Sequence, residues 1–264
     1  MDFLGFIIIL VKVLVVFAAT LLTVLIMIYA ERRVSAFMQG RLGPNRVGPQ
    51  GLLQPIADGI KFLMKEDIIP AGVDKPIFIL APAILLIPAL MTFAVIPFGS
   101  DIILFGRQIP LQVADVNVGI LYVLALTSIG VYGIVLAGWS SNSKYSLLGG
   151  LRSSAQLISY ELAMGLAVVS IILLSGSLKL NDIVADQQGY YFSWNIFKQP
   201  LAFIIFLVAV YAETNRLPFD LSEAEQELVG GYHTEYSSMK FAMFFMGEYL
   251  SLIHISEPTR RTPI

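Results

Sequence analysis

Cysteine is absent from these 264 residues, and histidine occurs only as His233 and His254. Without thiols the chain can form no disulfide, no iron–sulfur ligation and no thiolate metal site. Two histidines argue against a haem held by a histidine pair. Any electron carrier that works with this chain therefore sits on another chain or diffuses. Charge is scarce too: 14% of residues carry it, for a net of −2. That balance argues against a nucleic-acid partner. No internal repeat is visible, since Pro82, Pro88 and Pro97 have no counterpart in another apolar stretch. This weakens an inverted-repeat transporter. Gly149-Gly150 and Gly230-Gly231 follow no strand, so they read as flexible loop joints and not as phosphate cradles.

What the chain has in abundance is apolar residue, 56% of the total, with a mean hydropathy of +0.76. A soluble core of this size does not need so much, and the residues come in long runs. Phe3 to Ile28 is broken only by Gly5, Lys12, Thr20 and Thr23. Ile77 to Phe98 and Val116 to Gly138 carry no charge, and Leu162 to Leu174 follows. Ile196 to Ala212 and Phe241 to Ile255 are shorter and more mixed. These predict an all-α polytopic integral membrane protein: six transmembrane helices in a single transmembrane domain over residues 1–250. Helices are the natural choice because they satisfy their own backbone groups in hydrocarbon. The first run would extend roughly 39 Å against a hydrocarbon core of about 30 Å, so it tilts or projects. It is too long for a cleaved signal peptide, and no small-residue cleavage site follows.

Basic residues favour alternate loops. The first loop holds Arg32, Arg33, Arg41, Arg46, Lys61, Lys65 and Lys75, whereas the second and fourth together hold Arg107, Lys179 and Lys198. The positive-inside rule then places odd loops in the cytoplasm and the N-terminus outside. Within the first loop, glycines and prolines mark turns over residues 39–51. A short helix is predicted from Pro55 to Lys65, with Pro55 at the first helical position. Leu52, Ile56, Ile60 and Leu63 share one face, and Gln54, Asp58, Lys61 and Lys65 the other. This is an amphipathic helix lying along the membrane surface, which on periodicity alone could be a simple anchor.

Several charges sit where lipid should be. Glu161 falls inside the fourth helix, Glu213 closes the fifth and Glu248 lies in the sixth. A charge at a helix centre costs about 2.5–3.5 kcal/mol on insertion scales, so each should face protein or water. Lys12 can instead snorkel to the interface on its long stem. Three carboxylates from three helices suit proton handling, because burial and neighbouring like charges tune carboxyls to exchange protons near neutral pH. After Glu213 come Asp220, Glu223, Glu225 and Glu227. Ser222 with Glu225 makes a capping box, so a helix is predicted from Glu223. Glu223 and Glu227 then share a face where like charges repel. The competing reading is a solvated acidic first turn favoured by the helix dipole. Arg216 could partly neutralise Glu213. Tyr232, His233 and Tyr236 could donate hydrogen bonds to a carbonyl, although a lone loop histidine is more often structural.

Three segments resemble the quinone-site membrane subunit of respiratory complex I, the proton-pumping NADH:quinone oxidoreductase. They are Ala30-Glu31-Arg32-Arg33 through Gly40-Arg41-Leu42-Gly43-Pro44-Asn45-Arg46 to Asp58-Gly59-Ile60-Lys61, then Gly150-Leu151-Arg152-Ser153 through Tyr160-Glu161, then Pro218-Phe219-Asp220-Leu221-Ser222-Glu223-Ala224-Glu225-Gln226-Glu227. The resemblance covers residues 3–249. It implies a family of eight transmembrane helices, of which six are present here, and a subunit that is not catalytic in isolation. It assigns Arg32, Arg41, Arg46, Asp58 and Lys61 to the quinone chamber and its entrance. It assigns Glu161, Glu213, Glu223, Glu225, Glu227 and Glu248 to a hydrated acidic path for protons. Quinone is then a substrate, with no cofactor or metal bound by this chain. Flavin and iron–sulfur clusters belong to partner subunits of the peripheral arm, and small and antiporter-like membrane subunits adjoin. The location implied is a bacterial inner membrane. Residues 251–264 depart from the family and read as a non-native tail. Two alternatives stand beside this reading: the related subunit of a membrane-bound hydrogenase or other quinone- or ferredoxin-linked complex, and an ion-coupled secondary transporter.

Overall fold

The computed structural model describes residues 3–99, 102–104, 107–189, 191–215, 219–220 and 230–256. Helix α1, Phe3–Met38, runs for 36 residues, roughly 54 Å at about 1.5 Å per residue. It therefore outruns the hydrocarbon and continues past Ile28 to carry Glu31, Arg32 and Arg33 on its last turns. Near its start, Lys12 Nζ donates to the backbone carbonyl of Gln112 at 3.4 Å. Its head thus reaches the loop after the second span.

The first loop takes the expected form. Gly51 has φ +78 and a Cβ there would meet Pro44 O at 2.2 Å, so only glycine fits this turn. Tyr29 and Arg33 of α1 both donate to Gln50 O at 2.9 Å, pinning the turns to the helix end. Helix α2, Gln54–Met64, follows with a proline in its first turn. Its apolar face, including Ile56, Ile60 and Leu63, remains exposed, as an amphipathic surface helix requires.

The spanning helices come next: α3 (Lys75–Thr92), α4 (Gly119–Ser140) and α5 (Lys144–Ser175). With α1, these are four helices long and apolar enough to cross a membrane. Between α3 and α4 an antiparallel hairpin pairs β1 (Ile102–Leu104) with β2 (Arg107–Ile109). After α5 come two short helices, α6 (Leu180–Asp186) and α7 (Asn195–Lys198), then α8 (Pro200–Glu213) and α9 (Ser238–Ser256). The fifth span is not one helix over residues 196–212. Pro200 starts a new helix of 14 residues, because it has no N–H to continue α7.

Glycines let the spanning helices approach closely, as packing in lipid favours. A Cβ on Gly138 would lie 2.7 Å from Ser146 O and 3.2 Å from Gly150 Cα. A Cβ on Gly149 would lie 2.8 Å from the Gly231 carbonyl carbon. This corrects the reading of Gly149-Gly150 as a loop joint. Both lie inside α5, which begins at Lys144, so Arg152 also belongs to a helix and not to a loop. The core is aromatic at one end, where Phe78 stacks on Tyr236 with ring centroids 4.0 Å apart and Tyr232 is fully buried.

Candidate functional site

Glu161, Glu213 and Glu248 come from α5, α8 and α9, and they line one cavity of about 50 Å³. Leu85, Leu126, Ile134 and Leu157 form much of its apolar wall, while Thr127, Asn215 and Ser251 add polar edges. The space admits at least one water with polar partners in reach.

Each carboxylate is held differently. Ser128 of α4 donates to Glu161 Oε1, and the Thr127 hydroxyl lies 3.4 Å from the same oxygen. Both hydroxyls also sit within bonding distance of Leu124 O, at 3.0 Å and 2.8 Å. Tyr232 OH donates to Glu248 Oε1 at 3.1 Å. Glu213 Oε2 is buried with no hydrogen-bond partner among the described residues. A buried carboxylate oxygen normally finds a partner, so water or a neighbouring acid is the natural one here. Carboxyls that face one small cavity feel one another's charge, an arrangement suited to holding and passing on protons.

Gln156 ties the cavity to the chain beyond α8. Its side-chain amide donates to Ala212 O at 3.3 Å, Asn215 Oδ1 at 3.4 Å and Phe219 O at 2.9 Å. Glu223, Glu225 and Glu227, with the predicted capping box and Arg216, lie outside the described residues.

The first-loop residues are brought together only in part. Arg32 on α1 forms an ion pair with Asp58 on α2, and Gln54 donates to the other Asp58 oxygen at 3.1 Å. Lys61 stands three residues after Asp58 on the same helix, so the two share a face. Arg41 donates to Gln39 Oε1 at 2.6 Å, and Arg46 is exposed in the turns. Neither joins the Arg32–Asp58 pair. Glu31, beside Arg32, accepts a hydrogen bond from Tyr249 OH at 2.6 Å. The surface charges therefore connect to the residue next to Glu248.

The aromatic loop before α9 is buried rather than open. His233 packs edge-on against Tyr232 and Phe241, and burial pushes its pKa down to about 4, which keeps it neutral. Burial also pushes the Tyr236 phenol up to about 12, against the lowering effect of its hydrogen bond with Ser140. Thr127, Ser128 and Gln156 were missed in the sequence. The adjacent hydroxyls inside an uncharged run were the available signal for the first two.

A bundle of apolar helices around a small cavity that three glutamates line, with a charged surface helix at one end, defines a polytopic helical membrane protein. Residues 11–257 match the family described as NADH dehydrogenase, and the chain belongs to that family. It is 60% identical over 242 residues to an H subunit, numbered 1, of the NADH-quinone oxidoreductase of Geobacter metallireducens, covering 92% of this chain and 73% of the relative. The corresponding H subunit, also numbered 1, of Geobacter sulfurreducens is 61% identical over 259 residues, covering 94% and 74%. NADH-quinone oxidoreductase subunit 8 of Rhodothermus marinus is 59% identical over 236 residues, covering 89% and 67%. The family match ends inside the segment set apart from the sequence as 251–264.

Proposed function

We propose that this chain is the membrane subunit of a proton-pumping NADH:quinone oxidoreductase that walls the quinone chamber and carries protons away from it. The observation that supports this best is the convergence of Glu161, Glu213 and Glu248 on one cavity. Arg32, Arg41, Arg46, Asp58 and Lys61 belong to the chamber and its entrance in this reading. Glu161, Glu213 and Glu248, with Glu223, Glu225 and Glu227 leading into them, form the proton path. Quinone is a substrate; flavin and iron–sulfur clusters reside on peripheral-arm subunits, because this chain has no thiol to hold a cluster. Small and antiporter-like membrane subunits are the neighbours that receive the coupling. The chain lies in a bacterial inner membrane with its N-terminus outside and odd loops in the cytoplasm, on the strength of its lysine and arginine distribution. The names of the relatives favour this reading over a hydrogenase subunit or a transporter.

The test uses the assembled oxidoreductase carrying Glu213→Gln or Asp58→Asn. Proton translocation should fall in the first, and NADH-driven quinone reduction in the second. Unchanged activity in both variants would sink the assignment.

A further inference from the structure

We infer that Ser238 is a positioning residue, a hydroxyl latch that fixes the surface helix carrying Asp58 and Lys61 to the membrane helix carrying Glu248. The inference rests on the function proposed above and concerns how its two halves are joined.

The latch closes one end of α2. The last carbonyls of a helix have no donors of their own. Ser238 Oγ lies 2.9 Å from Phe62 O and 2.8 Å from Lys65 O, so its single proton serves either carbonyl. Ser237 Oγ accepts from the Ile68 N–H at 3.0 Å. Lys240 pairs with Asp67 at 2.8 Å, and the Phe62 and Phe241 rings meet with centroids 6.1 Å apart. All these groups come from residues 237–241, the first turn of α9 and its entry. Ser238 sits at φ +55, a left-handed conformation that serine seldom adopts. The strained residue is the one whose hydroxyl reaches α2.

The same end of α9 also governs the cavity. Tyr232, in the loop that leads into Ser238, donates to Glu248. Stacking of Tyr236 on Phe78 fixes that loop against α3. From Ser238 to Glu248 the helix is unbroken, a rise of about 15 Å. On the far side of α2, Asp58 is tied to Arg32, and the adjacent Glu31 is bonded to Tyr249. Helices α1, α2 and α9 thus form a closed circuit of contacts. A shift of α2 when quinone is reduced must move α9, and with it Glu248. Removing the Ser238 hydroxyl loosens the circuit where it holds the end of α2, while the Ser237, Lys240–Asp67 and Phe62–Phe241 contacts remain.

The test compares three variants in the assembled oxidoreductase. Ser238→Ala removes the hydroxyl and keeps the backbone strain. Ser238→Gly removes both, since glycine accepts a positive φ freely. Ser238→Asn tolerates the conformation and restores a donor. Amide exchange over residues 62–68 and protons moved per NADH oxidised are measured together. Loss of one hydrogen bond corresponds to about a fivefold rise in exchange. Alanine and glycine should both show that rise and a lower proton ratio while NADH oxidation continues, and asparagine should reverse both. Faster exchange with an unchanged proton ratio would make the serine merely structural, and unchanged exchange would mean no latch exists. If none of the three Ser238 variants assembles, Ser237→Ala supplies the same two readings through the Ile68 amide. Glu213→Gln separates this inference from the proposed function. It should lower the proton ratio with exchange over 62–68 unchanged, and if the ratio holds, the function fails while the exchange result stands.

Discussion

Gly149 and Gly165 both lie on α5, and the same substitution should act on them with opposite sign. A Cβ on Gly149 would sit 2.8 Å from the carbonyl carbon of Gly231, 2.9 Å from its Cα and 3.0 Å from Tyr232 N. All three neighbours are backbone, so no side chain can swing aside. The loop must retreat, and Tyr232, which is fully buried, must move with it. Forcing an extra carbon into a packed site costs about 1–3 kcal/mol. A Cβ on Gly165 meets nothing within 4 Å, so Gly165→Ala keeps only the helix-propensity gain of up to ~1 kcal/mol. Thermal midpoints of the detergent-solubilised chain, followed by circular dichroism, should rank Gly165→Ala above wild type and wild type above Gly149→Ala. A flexible joint at Gly149 would behave the other way, because alanine stiffens the unfolded chain and stabilises slightly. A Gly149→Ala midpoint at or above wild type would refute the close approach of α5 to the loop before α9.

Gln156→Ala removes a donor shared by Ala212 O, Asn215 Oδ1 and Phe219 O. Loss of these hydrogen bonds should cost about 1 kcal/mol, with amide exchange rising at the end of α8; a midpoint equal to wild type would contradict it. His233 gives a pH dependence of definite sign. Its pKa falls from 6.5 to about 4 on folding, so between those values the unfolded chain binds a proton that the folded one refuses. Stability from this group is complete above pH 6.5 and declines as pH drops toward 4. The slope is at most ~1.4 kcal/mol per pH unit, for a total of roughly 3 kcal/mol. His233→Phe should flatten that part of the stability–pH curve, and an unaltered curve would count against a neutral buried histidine.

The spanning helices and the three acids were legible in the sequence because each depends on local composition. An uncharged run predicts a span, and a glutamate inside one must face protein or water. Helix α2 was legible through Pro55 and its periodic apolar face, with an end within one residue of the prediction. Partners far apart in the chain were not. The Gly149-Gly150 pair looks like a loop, and only the approach of Gly138 and Gly231 explains why glycine stands there inside a helix. The start of α5 was hidden because residues 144–157 mix serine, glycine and arginine with leucine. The donor that ends α2 is a serine more than 170 residues away. The roles of Thr127 and Ser128 depend on how α4 is rotated against α5, which a single apolar run does not encode. The break at Pro200 could have been read, since proline at a helix start is a local signal.

The central claim is that Glu161, Glu213 and Glu248 act as one coupled proton store fed by quinone reduction. Infrared difference spectra of the assembled oxidoreductase, recorded before and after reduction by NADH, report carboxyl protonation directly. Coupling predicts carboxyl bands that change on reduction, with Glu213→Gln removing one band and shifting those of the other two acids. Identical difference spectra in wild type and Glu213→Gln would contradict the account.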